Sequence, residues 1–363
     1  MSRKILIIGS TGKLGSKLLN YMHKENISVD TITCFSNEKK ILKQTKKFKI
    51  RKAFILSFSN EKVNFLKLLS KSKFSIIYFL DYGSSSLIYL DTILKNNSGS
   101  TIAIANKEMI IAGGHLLRNK IRSSKNNLLP LDSEHYSLFR LDPKDLEVKK
   151  LYITASGGPF YFNKKINLNL VSQKEVNDHP KWKMGINNSI DSSNFINKIL
   201  EIFELSIIFN INILKIDFLV SKEAYVHSLI CFNDNTISIN CFENNMLIPL
   251  IKPLTKNLKS NELNFKDNKF FDSKNLKLEL FNDKRFKIYN FYKVIKNFSH
   301  NQQISFMILN NFAHTKYLKG KLSYSGIVDF IFDNIEDQKN MKFRSFHDIL
   351  KYIEDLKSRY ETF

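Results

Sequence analysis

The sequence predicts an α/β protein whose N-terminal part is a doubly wound, Rossmann-like domain, and three observations predict it. Short apolar runs alternate with Lys-rich helical stretches as far as residue 130. The first run, Ile5-Leu6-Ile7-Ile8, feeds straight into the glycine-rich turn Gly9-Ser10-Thr11-Gly12-Lys13-Leu14-Gly15. At 363 residues the chain exceeds what one ordinary core holds, so two or three domains are expected.

Taken in order, Lys4 to Ile8 reads as a buried strand and Leu14 to His23 as the helix that follows the turn. Ser28 to Phe35 is a second strand. Ala53 to Leu56 and Ile76 to Leu80 are further short runs, and Thr101 to Ala105 ends at Asn106-Lys107-Glu108. Strands separated by helical patterns imply a parallel sheet. Residues 1–130 are therefore expected to form one nucleotide-binding domain. In residues 131–255 the polar motifs crowd together, and strand-like runs (Lys150 to Thr154, Ile237 to Cys241) flank a long helix, which predicts an α+β catalytic domain. Residues 256–285 are rich in Lys, Asn and Asp and read as a linker. Residues 286–363 show helical spacing, as in Val328, Phe332, Ile335 and in Ile349, Ile353, Leu356, and are expected to form a small helical domain.

Composition narrows the function classes. The hydrophobic share of 43% is that of a soluble globular protein. A formal charge of +22 invites a nucleic-acid or anionic-membrane partner, but the lysines are scattered and form no basic block. Compositional drift combined with anionic small-molecule ligands accounts for them, with no nucleic-acid or membrane partner expected. Cys34, Cys231 and Cys241 form no CxxC and cannot pair completely, which predicts reduced thiols in the cytoplasm. The most apolar region, Leu205 to Val220, is broken by Asn210, Asn212, Lys215 and Asp217, so no membrane span is expected. The basic start before Ile5 is followed by too short an apolar patch for a signal peptide.

Several motifs carry chemistry. Glycines in the Gly9–Gly15 turn let the backbone approach a pyrophosphate held at a helix N-terminus, although an ordinary Gly-rich turn has the same composition. The second strand ends at Phe35-Ser36-Asn37 without the acidic residue that binds a ribose 2′-hydroxyl. Polar Ser36 and Asn37, backed by Lys39 and Lys40, suit a 2′-phosphate and so NADPH over NADH; Glu38 is the discordant residue. Asp132 and Glu134, two positions apart, face the same way in an extended segment and can share a hard cation, with Glu201 completing a divalent site; alone, such a pair is equally a solvated loop or a cap. Asn197, Lys198 and Glu201 fall on one face of a helix whose N-cap is Ser192 or Ser193, and Lys198 with Glu201 could instead be a surface pair. His179-Pro180-Lys181-Trp182-Lys183-Met184-Gly185 places the chain's only tryptophan in an irregular polar stretch that suits core or lid.

In this order, with Ser156-Gly157-Gly158-Pro159 and Asp132-Ser133-Glu134 upstream, these motifs resemble the 1-deoxy-D-xylulose 5-phosphate reductoisomerase family nearly end to end. The resemblance implies conversion of 1-deoxy-D-xylulose 5-phosphate to 2-C-methyl-D-erythritol 4-phosphate in non-mevalonate isoprenoid biosynthesis, by a homodimer. It implies NADPH and Mg²⁺ or Mn²⁺, with Co²⁺ a further option, the ion being held by Asp132, Glu134 and Glu201. The implied cofactor contacts are Thr11, Gly12, Lys13, Leu14, Ser36, Asn37, Asn106, Glu108 and Gly185. The implied substrate contacts are Lys107, Ser133, Glu134, Ser156, His179, Ser192, Asn197, Lys198 and Glu201, with Lys198, Glu201, Asp132, Glu134 and His179 carrying the chemistry. Lys181 to Asn188 would be a flap, and His227-Ser228 matches a family pair.

The sequence departs from the family pattern in places. Asn187 replaces a usual lysine, Ile199 a usual glycine, and Ala313-His314 a usual Asn-Glu pair. None removes an implied metal ligand. Two other readings stand beside the family one: a different NADP-linked dehydrogenase of similar plan, and a non-catalytic derivative of the family.

Overall fold

The structure, a computed structural model, describes residues 4–139, 141, 143–144, 147–177, 185–257, 276–335 and 340–361. It divides into two compact units, Met1–Arg140 with Glu243–Lys266, and Leu141–Phe242 with Asp267–Phe363.

The first unit is built on a parallel six-stranded sheet ordered β3-β2-β1-β4-β5-β6. Its strands are β1 (Ile5–Ile8), β2 (Thr31–Cys34), β3 (Lys52–Ile55), β4 (Ile76–Phe79), β5 (Thr101–Ile104) and β6 (Asn127–Pro130). The helices are α1 (Lys13–Lys24), α2 (Glu38–Lys47), α3 (Ser59–Lys71), α4 (Leu87–Asn96), α5 (Lys107–Ser123) and α6 (Ser133–Phe139). All four side chains of β1 are buried, as are those of β2 and β4, because central parallel strands are covered on both faces. Each buried Ile or Leu contributes on the order of 2 kcal/mol. Strand order reverses at β1, which pairs with β2 on one side (Ile7 opposite Ile32) and β4 on the other (Ile7 opposite Tyr78). This is the switch point where such sheets bind ligands. The doubly wound domain expected from sequence is therefore present. Helix α10 (Leu247–Ile251) also belongs to this unit, although in sequence it lies between the fourth and fifth strands of the second sheet. The buried Tyr78 hydroxyl donates to the Leu250 carbonyl at 2.9 Å, and Lys17 Nζ to Asn245 Oδ1 at 2.8 Å.

The second unit holds a mixed sheet ordered β10-β9-β7-β8-β11. Its strands are β7 (Val148–Ala155), β8 (Ile216–Val220), β9 (Val226–Phe232), β10 (Ile237–Cys241) and β11 (Glu279–Leu280). β7 runs parallel to β8 and antiparallel to β9. The crossover from β7 to β8 carries α7 (Gln173–Asn177), α8 (Ile186–Ser193) and α9 (Ile196–Phe209). Beyond the sheet come α11 (Ile288–Ile295), α12 (His300–Leu318), α13 (Gly326–Asn334) and α14 (Phe346–Glu361), the last burying Ile349, Ile353 and Leu356 as their spacing predicts. Residues 276–285, expected within a linker, add β11 to the sheet through Leu280 opposite Leu219. Phe281 then joins Phe195, Phe218 and Phe286 in an aromatic cluster, with Phe195 and Phe281 ring centroids 4.5 Å apart. Nearby, Asp283 meets Lys164 at 2.7 Å and Arg285 at 2.8 Å. Burial alone would raise the Asp283 carboxyl, but these hydrogen bonds outweigh it and hold it at about 2.

Candidate active site

The glycine turn between β1 and α1 is forced by sterics. Gly9 has φ +87°, and a Cβ there would lie 2.4 Å from the Asp81 backbone nitrogen. A Cβ on Gly15 would lie 2.5 Å from the Gly9 carbonyl oxygen. Only glycine allows this approach of strand, turn and helix. Gly12 is the extended N-cap of α1, so Thr11, Gly12, Lys13 and Leu14 ring a helix N-terminus. α2 braces the turn from behind: Gln44 and Ser10 exchange hydrogen bonds at 2.8 and 2.9 Å, and Lys40 Nζ donates to the Thr11 carbonyl at 2.6 Å. Asn37 caps α2 by accepting from the Lys40 backbone at 3.1 Å, which sets Ser36 and Asn37 at the tip of β2. Sequence reading put Lys40 behind this tip; the structure adds that its ammonium is already engaged with the turn.

Further along the same sheet edge, Asn106 is not a strand end but the buried N-cap of α5, accepting from the Met109 backbone at 2.9 Å. Lys107 and Glu108 open that helix, and Lys107 Nζ lies 2.9 Å from Asp132 Oδ2. The extended geometry expected for Asp132-Ser133-Glu134 is corrected here. Ser133 begins α6, and Asp132 sits just before it, its carbonyl accepting from Tyr136 and its Oδ1 from the Glu134 backbone at 3.3 Å. An Asp followed by a helical run is an N-cap signature, and that local preference prevails over strand alternation. The Ser133 hydroxyl donates to Glu134. His135, absent from the sequence reading, is fully buried with Nδ1 3.3 Å from Asp132 Oδ1. Its position three residues after an N-cap aspartate was the available signal.

In the second unit α9 carries the polar trio. Glu201 is 2% exposed and Lys198 8%, with Lys198 Nζ 2.6 Å from Glu201 Oε2 and the Asn197 amide donating to Oε1. The pair is thus buried and not a surface pair. Desolvation offsets much of what such a pair contributes to stability, so its presence speaks for chemistry more than for folding. Ser192 and Ser193 do not cap α9; they close α8, and the cap position falls to Phe195 in left-handed geometry (φ 68°), with Asn194 Oδ1 accepting from Ile196 at 2.9 Å. The Ser156 turn reaches Ser192: Gly158 (φ +56°) would place a Cβ 3.2 Å from the Ser192 carbonyl, and Ser156 Oγ accepts from Gly158 at 3.4 Å. Two expected substrate contacts, Ser156 and Ser192, are thus linked through Gly158, whose backbone packs on Ser192 and donates to Ser156.

Beneath them lies a buried cluster that sequence reading missed. Asp191 Oδ1 accepts from Asn310 Nδ2 at 2.9 Å and from His314 Nε2 at 2.8 Å. The Ala313-His314 departure is absorbed in this way, His314 serving as a donor to Asp191. Ser193 is held by Tyr324, whose hydroxyl donates to Ser193 Oγ at 3.0 Å and whose acidity burial suppresses. Gly185 is the exposed N-cap of α8. His179 and residues 181–184 lie outside the described residues, while Ile186 to Asn188 of the expected flap form the first turn of α8. His227 is buried and stacked on Phe242 at 4.0 Å between centroids, and Ser228 Oγ accepts from Asn240, so this pair has structural partners.

Residues 128–209 match the model of the 1-deoxy-D-xylulose 5-phosphate reductoisomerase C-terminal domain. Across 94% of the chain the sequence is 30% identical to the 1-deoxy-D-xylulose 5-phosphate reductoisomerase of Pelagibacter ubique, covering 93% of that protein. The chain belongs to the 1-deoxy-D-xylulose 5-phosphate reductoisomerase family. The Malacoplasma penetrans reductoisomerase is 36% identical over 66% of this chain and 63% of its own length. Among solved structures, the Zymomonas mobilis reductoisomerase in complex with NADPH superposes with a TM-score of 0.83 at 21% identity, covering 99% of this chain and 98% of that one. A reductoisomerase in complex with NADPH, fosmidomycin and magnesium gives a TM-score of 0.85 at 21% identity, over 99% and 97% of the two chains. At that identity the structural likeness shows that this chain has the reductoisomerase fold.

Proposed function

We propose that this chain converts 1-deoxy-D-xylulose 5-phosphate to 2-C-methyl-D-erythritol 4-phosphate with NADPH and a divalent cation, within non-mevalonate isoprenoid biosynthesis. The observation that carries the proposal is the Asn197-Lys198-Glu201 trio of α9, in which Lys198 and Glu201 are buried and Asn197 half-buried, a charged and hydrogen-bonded group within a helix otherwise anchored by Ile199, Ile202 and Phe203. Family membership supplies its reading as metal- and substrate-binding machinery.

The residues present fit both partners. Asp132, Glu134 and Glu201 offer only oxygen donors, the set a hard cation such as Mg²⁺ or Mn²⁺ takes, with Co²⁺ tolerated. Gly9 and Gly15 let strand, turn and helix close on one another, and Gly12, at the N-terminus of α1, leaves the backbone approach that a pyrophosphate needs. Thr11, Gly12, Lys13, Leu14, Ser36, Asn37, Asn106, Glu108 and Gly185 are assigned to NADPH, with Lys39 and Lys40 beside its 2′-phosphate. The bound ion and cofactor supply polarisation of neighbouring hydroxyl and carbonyl oxygens, and a hydride. The chain's own residues do the rest. Ser156, Ser192, Asn197 and Lys198 bind the phosphate end with His179 closing the site, Asn197 and Lys198 also contact the hydroxyls, and Lys107 and Ser133 are further substrate contacts. Lys198, with its ammonium held by Glu201, counters negative charge that develops on the rearranging carbon skeleton.

The functional division we assign is residues 1–130 for cofactor, 131–255 for catalysis and 286–363 for the helical domain. Of the intervening 256–285, Glu279–Leu280 form β11 of the second sheet, while α10, inside 131–255, packs with the first unit. The assembly is proposed as a cytoplasmic homodimer. Three free cysteines accord with a reducing compartment, and β10 is an edge strand that exposes Ile237 and Ile239. Among the described residues no helix is long and apolar enough to cross a membrane.

The test is NADPH oxidation on adding 1-deoxy-D-xylulose 5-phosphate with Mg²⁺ or Mn²⁺, with the phosphorylated product identified. Absence of turnover from a folded, NADPH-binding preparation would refute the assignment.

A further inference from the structure

Asp81 follows β4 at the carboxyl edge of the parallel sheet, in neither the cofactor nor the substrate set assigned above. Its backbone is pressed against Gly9 of the glycine turn. Its carboxyl is held from two sides: the Ser86 hydroxyl donates to Oδ2, and Asn106 Nδ2 donates to Oδ1 at 3.2 Å. Ser86 is fully buried and Asn106 is 1% exposed.

The Asn106 amide has no freedom to turn. Its oxygen is consumed by the cap of α5 at Met109, so its amino group must find acceptors elsewhere. It finds two, Asp81 Oδ1 and the Gly83 carbonyl at 2.9 Å. Asn106 is thus satisfied at every polar position, and Asp81 supplies the charged acceptor. The residues that follow, Lys107 and Glu108, open α5, and Lys107 is the partner of Asp132. A continuous set of contacts therefore runs from the strand end beside the glycine turn to the carboxylate assigned to the metal. Burial pushes the Asp81 carboxyl up, to about 6, with the hydrogen bonds of Ser86 and Asn106 pulling the other way. A group enclosed at that cost gives the fold little, and what it does hold is Asn106.

We propose that Asp81 is a positioning residue for hydride transfer: by clamping Asn106 against Ser86 and the β4 end, it fixes the start of α5, where Asn106, Lys107 and Glu108 meet cofactor and substrate. This rests on the reading of those three residues given under the proposed function. The clamp requires an acceptor for the Asn106 amino group and does not require a charge. An asparagine can serve, its oxygen accepting from Asn106 and its amino group donating to Ser86 Oγ.

The experiment compares wild type, Asp81→Ala and Asp81→Asn as full-length proteins. It reads kcat, KM for NADPH and for substrate, the thermal midpoint, and the fluorescence of NADPH bound without substrate. Asp81→Ala is expected to keep its fold and bind NADPH within about threefold of wild type. Its kcat should fall about tenfold or more, because a misplaced reacting group loses its near-attack geometry. The bound nicotinamide should also fluoresce less, as a more mobile ring does. Asp81→Asn should restore both readouts to within about twofold, the clamp being remade. Wild-type kcat and fluorescence in Asp81→Ala would overturn the proposal. So would equal slowing in both variants, which would assign the role to the charge, or losses that merely track the unfolded fraction. If Asp81→Ala does not fold, Ser86→Ala decides in the same way, with a smaller fall in kcat. Should wild type itself fail to turn over, the functional reading fails, and the fluorescence comparison still judges the clamp.

Discussion

At the scale of single residues, Glu134 and Asp81 separate function from stability. Glu134 is half-buried on the first turn of α6, so Glu134→Gln should leave the thermal midpoint within a few degrees. Its kcat/KM should fall on the order of 10³-fold if the carboxylate holds the ion, and steady-state kinetics with calorimetry check both. Asp81 works in the opposite sense. Its folded-state pKa is about 6 against 3.8 for the free group, so between these values the native state binds more protons than the unfolded one. Its contribution to stability is therefore fully present below pH 3.8 and lost as pH rises through 6, amounting to about 3 kcal/mol. Asp81→Asn should abolish that decline, so urea denaturation at pH 7.5 and pH 4.5 should find the variant gaining on wild type at the higher pH. An unchanged difference between the two pH values would contradict the buried carboxyl.

At the scale of elements, α1 and α8 are the pieces whose placement matters most. Gly15 in α1 touches the glycine turn so closely that any side chain must displace backbone. Gly15→Ala should weaken NADPH binding by roughly tenfold or more while the second unit remains folded, as titration and proteolysis would report. α8 is fixed from beneath by Asp191, whose two side-chain donors come from α12. His314→Ala removes one of them and leaves the buried carboxylate with Asn310 alone. The expected loss is about 1–3 kcal/mol in denaturant unfolding, with KM for the phosphosugar rising because Ser192 is the next residue. His314→Gln, which restores a donor, should recover part of both.

At the scale of the whole molecule, chelation should abolish turnover and Mg²⁺ or Mn²⁺ restore it, and lysines replacing Ile237 and Ile239 should give monomers in sedimentation if β10 is the dimer edge. What the sequence determined by itself was local. The β1 run and its glycine turn are specified by neighbours in the chain, and so is the Asn197-Lys198-Glu201 face, since helical pitch alone puts residues three and four apart together. Family membership was legible because the motifs keep their order. Asp132 to Glu134 departs from the extended geometry of its period-two spacing because the local cap preference of Asp132 starts α6 at Ser133. Other features lay beyond any local signal. Asp191 meets His314 across 123 positions, Asp81 meets Asn106 across 25, and α10 returns to the first unit between β10 and β11 of the second sheet. Nothing near Asp191 in sequence names its donors. A buried carboxylate takes whichever hydrogen-bond donors the packed helices bring to it, and only the tertiary structure decides which those are.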